Sequence, residues 1–132
     1  MAHVITFSTK KFDVSKETPN PINPIAGQSV LRWLREELAK SDCKSTEPDT
    51  EDWGWYIEVE AAGASYLVGA SADAESSSEP VEWTVQIHKI RSLKEKLLGR
   101  NKMTPDDPFS AMLESIVRAD TTMEDVSVDR NA

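Results

Sequence analysis

Hydrophobic and polar residues change their spacing several times along the chain, and each spacing predicts a different element. Residues His3 to Val14 mix β-branched and aromatic residues with polar ones, which is typical of a strand. From Gln28 to Lys40 the apolar residues recur at helical spacing, and from Val81 to Ile90 they alternate with polar ones. The first spacing predicts an amphipathic helix with the core positions Val30, Leu31, Leu34 and Leu38. The second predicts a half-buried strand with the core positions Val81, Trp83, Val85 and Ile87.

A β-hairpin is predicted in the middle of the chain. Between Trp53 and Glu60 the odd positions are apolar, and Ala62-Gly63 supplies a two-residue turn. Such a turn keeps one apolar face continuous across the two strands. The opposed pairs that it predicts are Val59 with Tyr66, Ile57 with Val68, and Trp55 with Ala70.

The last third of the chain predicts two helices and a strand. Ser92 to Glu95 reads as a capping box, and Gly99 is placed to end a short helix. Thr104 to Asp107 predicts a second helix start, with Pro105 as the first helical residue. The apolar stripe of that helix is Phe109, Met112, Leu113, Ile116 and Val117, and a strand is expected from about Glu124 to Asp129.

These elements together predict the fold class. Three segments interrupt them: Pro19 to Pro24 and Ser45 to Asp52 are expected as ordered coil or mobile linker, and Ala72 to Pro80 as a loop. The order is then β-α-β-β-β-α-α-β. A mostly antiparallel sheet with its helices on one face is the simplest way to bury the apolar stripes, so we expect a two-layer α+β sandwich.

Length and composition predict one globular domain over residues 1–132, with 39% hydrophobic residues. No apolar stretch approaches the roughly 20 residues that span a bilayer, and the residues from Met1 to Thr6 have no cationic region followed by an apolar run, so we expect neither a secretory signal nor a membrane partner. Cys43 is the one cysteine, which predicts neither a disulfide nor a thiol metal site. A reducing cytoplasm is the expected location, with no metal and no cofactor.

Charge is segregated along the chain, whose net charge is -8. Ten carboxylates and no Lys or Arg lie between Ser45 and His88, whereas six cations and one acid, Glu95, lie between Lys89 and Lys102. Segregated charge produces a field that selects partners. We therefore expect the acidic segment to contact a basic protein surface, and the candidate partner-binding residues are Glu47, Asp49, Glu51, Asp52, Trp53 and Glu79.

Motifs that carry chemistry are few. The glycines do not cluster into a phosphate loop, and neither a hydrolase serine elbow nor a paired-histidine zinc motif is present. His88 shares its predicted strand face with Glu82 and, on a neighbouring strand, Glu58, so these three are candidate acid/base residues. Arg100 and Lys102 are candidate anion-binding residues. Nucleic acid is not the expected partner, because the basic run lacks interleaved aromatic residues and the chain is anionic.

Two functions of different classes follow from these observations. The first is a noncatalytic acidic interaction protein of the inhibitor, immunity or nucleic-acid-mimic type. The alternative is a small enzyme or ligand-binding domain that uses the sheet face around His88 and Glu82. A homodimer through that face is a third possibility, since Tyr56 and Leu67 lie on it. Trp53 borders the acidic loop Ser45 to Asp52, and the pattern leaves it open between core and interface.

Overall fold

One eight-stranded sheet, antiparallel in its pairings, organises the protein, and the computed structural model describes residues 2–73 and 79–132 of it. Its main path is β3-β5-β6-β7-β1-β8, with β2 paired to β6 and β4 to β5. The predicted α+β class is confirmed. The strands are β1 His3–Thr9, β2 Ile25–Ala26, β3 Lys44–Ser45, β4 Asp49–Glu51, β5 Gly54–Ala61, β6 Ala64–Asp73, β7 Val81–Ile90 and β8 Glu124–Asp129; the helices are α1 Gln28–Ala39, α2 Leu93–Leu97 and α3 Pro108–Ala119.

The core lies between one face of the sheet and the two long helices. The three predicted hairpin pairs are those observed, and Trp83 and Val85 of β7 pair with Phe7 and Ile5 of β1. Both α1 and α3 contribute to the same buried cluster as these strands. The helical members of the cluster are Val30, Leu31, Leu34, Leu38, Phe109, Leu113 and Val117.

The observed order differs from the predicted one in its short elements. β1 ends at Thr9, not Val14, and a 3-10 turn at Val14–Lys16 follows, capped by the Asp13 carboxylate. The Thr9 hydroxyl accepts the Lys11 N–H at 3.1 Å and donates to the Thr122 carbonyl at 3.0 Å, which turns the chain away from the sheet. β2, β3 and β4 are two or three residues long. β4 lies within the segment Ser45 to Asp52 that was expected as coil, β3 overlaps its first residue, and β2 directly follows the proline-rich segment that ends at Pro24.

Local capping sets where the helices begin. α2 has the predicted capping box, in which the Ser92 and Glu95 side chains each accept the other's backbone N–H. α3 begins at Pro108, three residues later than predicted, because the carboxylate that caps it belongs to Asp107 and accepts the N–H groups of Phe109 and Ser110. In the described part of the chain, no helix has the length and apolar character to cross a membrane.

Candidate functional site

Charge that is segregated along the sequence is also unevenly distributed over the fold. The length of β7 gives the distance between the acidic and the basic regions. Glu82 lies near the start of β7, opposite Ser8 of β1, whereas Ile90 at its end leads into the basic run. Eight residues of strand separate the two, which is roughly 25 Å at 3.3 Å per residue. Trp55, which follows the turn around Asp52, is level with Val85 through Ala70, so this acidic turn lies towards the Glu82 end of the sheet and the basic helix α2 lies towards the other end. Glu58 and Glu60 lie further along β5, and Glu60 is opposite Lys44.

Three carboxylates lie around Tyr56 at one edge of the sheet, and a fourth lies in the adjoining turn. Asp49 pairs with Tyr56 across β4 and β5, Glu51 pairs with Gly54, and Asp52 follows in the turn. The pKa of the Tyr56 hydroxyl is raised, first by its burial and then by the carboxylates of Asp49, Glu51 and Glu58. We call Asp49, Glu51, Asp52 and Glu58 the acidic edge. Its members form no ion pair within residues 2–73 and 79–132.

The backbone that carries the acidic edge is held by two asparagines from the proline-rich loop. The side-chain amide of Asn20 donates to the carbonyls of Glu51 and Gly54, at 3.2 and 3.1 Å, and that of Asn23 donates to the Asp52 carbonyl at 2.7 Å. These bonds satisfy the turn carbonyls from outside the sheet. The loop thus holds the backbone from which Glu51 and Asp52 project, a role that the sequence pattern did not predict.

Trp53 lies on the open face of the sheet, over Gly69. A Cβ placed on Gly69 would come within 2.5 Å of two indole carbons, so the missing side chain provides the recess that the ring occupies. The ring is half-buried. The alternation that places Trp55 and Ile57 in the core breaks at Gly54, whose φ of +150° disfavours any residue with a side chain. Trp53 therefore leaves the core face and lies beside the acidic edge.

A wide cleft of about 970 Å³ opens next to Trp53. Its walls include Ile25, Val81 and Thr84, and two exposed carboxylates, Glu82 and Asp125, lie on its rim. Because the cleft is open to solvent, it could accept a side chain from another molecule more readily than it could enclose a small ligand. The candidate residue Glu79 is exposed just before β7.

Glu47 is placed differently from the other acidic candidates. Its carboxylate forms a 2.9 Å ion pair with Arg35 of α1, although its own side chain is 80% exposed. The Arg35 guanidinium also donates to the Ser45 hydroxyl at 3.1 Å, so it lies against the start of this segment. The charge of Glu47 is therefore partly neutralised within the molecule.

The acid/base candidates share a face but not a site. His88 and Glu82 are six residues apart on β7, about 20 Å, and Leu67 lies between His88 and Glu58. The His88 Nε2 is 2.9 Å from the Gln86 side-chain oxygen, and burial lowers its pKa. His88 does not line the cleft beside Trp53. The distances between these groups are too long for the direct proton transfer that general acid/base chemistry requires.

The basic run is divided between structural and exposed cations. The Lys89 ammonium is 3.9 Å from the buried Asp107 carboxylate, and the Arg91 guanidinium donates to the carbonyl of Glu95 in α2 and to that of Arg100 in the loop that follows. Arg100 and Lys102, the candidate anion-binding residues, are exposed in the loop after Gly99. The Arg100 N–H is bonded to the Glu95 carbonyl at 2.8 Å, so this backbone donor is not available to an anion.

His3 takes part in a buried polar network, although an ordinary strand or terminal position is the simpler expectation for it. His3, Asp107 and Ser110 are 1%, 2% and 4% exposed. The His3 Nδ1 is hydrogen-bonded to the Ser110 hydroxyl, and the Asp107 carboxylate accepts the Tyr66 hydroxyl at 2.9 Å. A Ser, a His and an Asp meet here, but at such burial a substrate cannot reach the hydroxyl, so the network is structural.

Residues 2–73 and 79–132 contain no group of three or more His, Cys, Asp or Glu side chains that could hold a metal ion. Comparison of the chain with protein-family models, with curated proteins and with solved structures gave no match.

Proposed function

We propose that this protein is a noncatalytic interaction protein whose acidic edge docks a basic surface of a partner protein, in the manner of an inhibitor, an immunity protein or a nucleic-acid mimic. The observation that carries the proposal is the acidic edge itself: four exposed carboxylates, three of them around Tyr56, that form no ion pair in the described part of the chain. Like charges held together destabilise the folded chain. A basic partner would relieve that repulsion.

Two further features support docking at this edge. Asn20 and Asn23 hold the turn backbone, so that less conformational entropy is lost when the carboxylates are ordered by a partner. Trp53 lies beside them, half-buried on Gly69, with part of its indole open to solvent. Lys and Arg of a partner could pair with the carboxylates and also lie over this ring. We expect the cytoplasm to be the compartment in which this contact forms.

The experiment compares two variants that remove the same charge from different places. The test variant combines Asp49→Asn, Glu51→Gln, Asp52→Asn and Glu58→Gln. The control variant combines Glu36→Gln, Asp42→Asn, Asp106→Asn and Glu124→Gln, which are exposed carboxylates elsewhere. Partners are captured from an extract of the native host at low and high salt, and their association rates are then measured with purified proteins.

The proposal predicts that the test variant associates about tenfold more slowly than the wild type, whereas the control variant stays close to it. Equal slowing of both variants would mean that net charge alone determines binding. Association rates that are unchanged in both variants would mean that the acidic edge is not part of the interface.

A further inference from the structure

Helix α2 and the residues next to it carry most of the large apolar side chains that are exposed in the described part of the chain. Leu93 and Leu97 are 74% and 78% exposed, Leu98 is 53% exposed, and Ile90 at the end of β7 is 41% exposed. α2 buries none of its residues. Leu93 and Leu97 are four residues apart, so they project from the same side of the helix. Exposed apolar side chains gathered in this way mark a surface that contacts something less polar than water.

The backbone of this protrusion is held in place by its own hydrogen bonds. The capping box of Ser92 and Glu95 fixes its start, and Gly99, with φ of +64°, reverses the chain at its end. The Arg91 guanidinium donates to the Glu95 carbonyl at 3.2 Å and to the Arg100 carbonyl at 3.0 Å. The leucines are therefore presented to solvent by an ordered turn.

Unpaired cations surround these leucines. Lys94, Lys96, Arg100 and Lys102 are exposed and form no ion pair within the described ranges. The one acid of the run, Glu95, accepts the Ser92 N–H at 2.9 Å as part of the cap. Glu60, at the level of Ile90, is two strands away and opposite Lys44. The local charge of this surface is positive, although the chain carries -8 overall.

We propose that this surface, consisting of Ile90, Leu93, Leu97 and Leu98 with Lys94, Lys96, Arg100 and Lys102, binds the face of an anionic lipid bilayer. We call it the basic apolar turn. Leucines that lie just below the headgroups lose their contact with water, and the longer Lys and Arg side chains reach the lipid phosphates from the same turn. Four or more cations beside exposed apolar residues match the pattern of peripheral binding to acidic lipids.

Shape favours a bilayer over a protein as the anionic partner. The basic apolar turn protrudes from the fold, since none of the residues of α2 is buried. A protein partner would need a groove that matches this protrusion. A bilayer needs no such groove, because it offers an apolar interior directly beneath its anionic headgroups. A long apolar stretch is needed to cross a bilayer but not to bind its surface. This proposal therefore replaces the expectation of no membrane partner.

The position of the acidic edge is compatible with this orientation. The turn that carries Glu51 and Asp52 lies beyond Trp55, which is level with Ala70 and Val85, so it is at least five residues of strand from the level of Ile90, roughly 17 Å and about two Debye lengths at physiological salt. Glu58 is nearer, level with His88, but it is two strands away from β7. With the basic apolar turn on the bilayer, the turn around Asp52 would point towards water. Binding to lipid and binding to a basic partner are separate properties, and either can fail alone.

The test is co-sedimentation of the purified full chain with vesicles of phosphatidylcholine, prepared with and without phosphatidylglycerol. We expect binding only to the vesicles that contain phosphatidylglycerol, and we expect added salt to weaken it. Leu93→Ser combined with Leu97→Ser should lower the bound fraction about tenfold. The matched apolar control is Ile22→Ser, at a residue 52% exposed on another loop, which should bind like the wild type.

A charge series completes the design. Changing Lys94, Lys96, Arg100 and Lys102 together to Gln should abolish binding, whereas the same change at the exposed Lys10, Lys16, Arg32 and Lys44 should not. Circular dichroism checks that each variant is folded. The proposal is overturned if the wild type binds neither vesicle, if it binds both equally, or if the leucine variant binds as well as the wild type. Binding to soluble polyglutamate but not to vesicles would also overturn it and would identify an acidic macromolecule as the partner.

Discussion

His3 and Ser110 are 107 positions apart in the sequence and meet in the core, where the His3 Nδ1 and the Ser110 hydroxyl share a hydrogen bond. This contact joins the first strand to the first turn of α3. The other ring nitrogen of His3, Nε2, is buried without a hydrogen-bond partner in the described part of the chain. A protonated imidazole would place a charge and an unsatisfied donor at this position, so the folded state favours neutral His3.

The stability of the protein should therefore fall in mild acid. Burial lowers the pKa of His3 below its ordinary value of 6.5, so the unfolded chain takes up the proton first. The contribution of neutral His3 is fully present above pH 6.5 and is lost as the pH falls from there through the lower folded-state pKa. Urea unfolding of the wild type between pH 8 and pH 5 should show this loss, at about 1.4 kcal/mol for each unit of pKa difference.

The control for that experiment is His3→Gln, which removes the titrating group. Its stability should vary less with pH than that of the wild type over the same range. The pKa of His88 is also lowered by burial and contributes in the same direction, so His88→Gln is measured beside it. A wild type whose unfolding free energy is constant from pH 8 to pH 5 would contradict the assignment of a neutral, buried His3.

The sequence predicted the elements whose signals are local. The hairpin register follows from a two-residue turn and a period of two, and both were visible between Trp53 and Ala70. The capping box of α2 is contained in four residues. β7 begins and ends at the predicted residues, because the alternation there is uninterrupted.

What the sequence did not predict depends on contacts between distant segments. Thr104-Pro105 and Asp107-Pro108 are both plausible helix starts, and the second is the one used, where the Asp107 carboxylate also accepts the Tyr66 hydroxyl. The face taken by Trp53 depends on Gly54 and on the recess at Gly69. The pairing of Glu47 with Arg35 required the position of α1 over the sheet. None of these relations has a periodic signal.

Trp83 provides a test of the core. It is fully buried on β7, its ring is 5.7 Å from that of Phe12 in an edge-on arrangement, and its indole N–H has no hydrogen-bond partner in the described ranges. Trp83→Ala should lower the free energy of unfolding by about 3 to 5 kcal/mol. Trp83→Phe should cost clearly less, since it also removes an unsatisfied donor. Equal losses of stability for the two variants would contradict this account of the Trp83 side chain. Lys94→Ala serves as the surface control and should leave the free energy of unfolding nearly unchanged.

The contact between Trp53 and Gly69 can be measured with a double-mutant cycle. Gly69→Ala should destabilise the protein by about 1 to 3 kcal/mol, because the new Cβ cannot share the recess with the indole ring. In a Trp53→Ala background the same change should cost much less. Chemical denaturation of the four proteins gives the coupling energy, and a value near zero would mean that the ring does not occupy this recess.

His88 separates the interaction protein from the alternative enzyme. An NMR titration should give His88 a midpoint below 6.5, since burial lowers its pKa and its nearest polar contact is the neutral Gln86 side chain. His88→Ala should leave the fold and partner binding intact. A midpoint raised well above 6.5 would instead indicate a carboxylate partner and would support the acid/base function.

The Arg35–Glu47 ion pair makes a prediction in which one substitution should speed up binding. Steering of a basic partner depends on the net potential at the acidic edge, and Arg35 holds a positive charge 2.9 Å from Glu47 beside it. Glu47→Gln should therefore slow association less than Glu51→Gln, whose carboxylate has no ion pair in the described chain. Arg35→Gln should raise the association rate, by about twofold at low salt.

These differences should shrink as salt is added, because charges are screened over about 8 Å at physiological ionic strength. Stopped-flow or biosensor association rates, measured against the captured partner over a salt series, test the ranking. Arg32→Gln is the matched control, since it removes an exposed cation from the same helix. If Arg35→Gln and Arg32→Gln change the rate equally, the effect is one of net charge and not of the acidic edge. If the rates are indifferent to salt and to every one of these substitutions, docking does not use the carboxylates, and the partly exposed Trp53, Tyr56 and Leu67 become the surface to test.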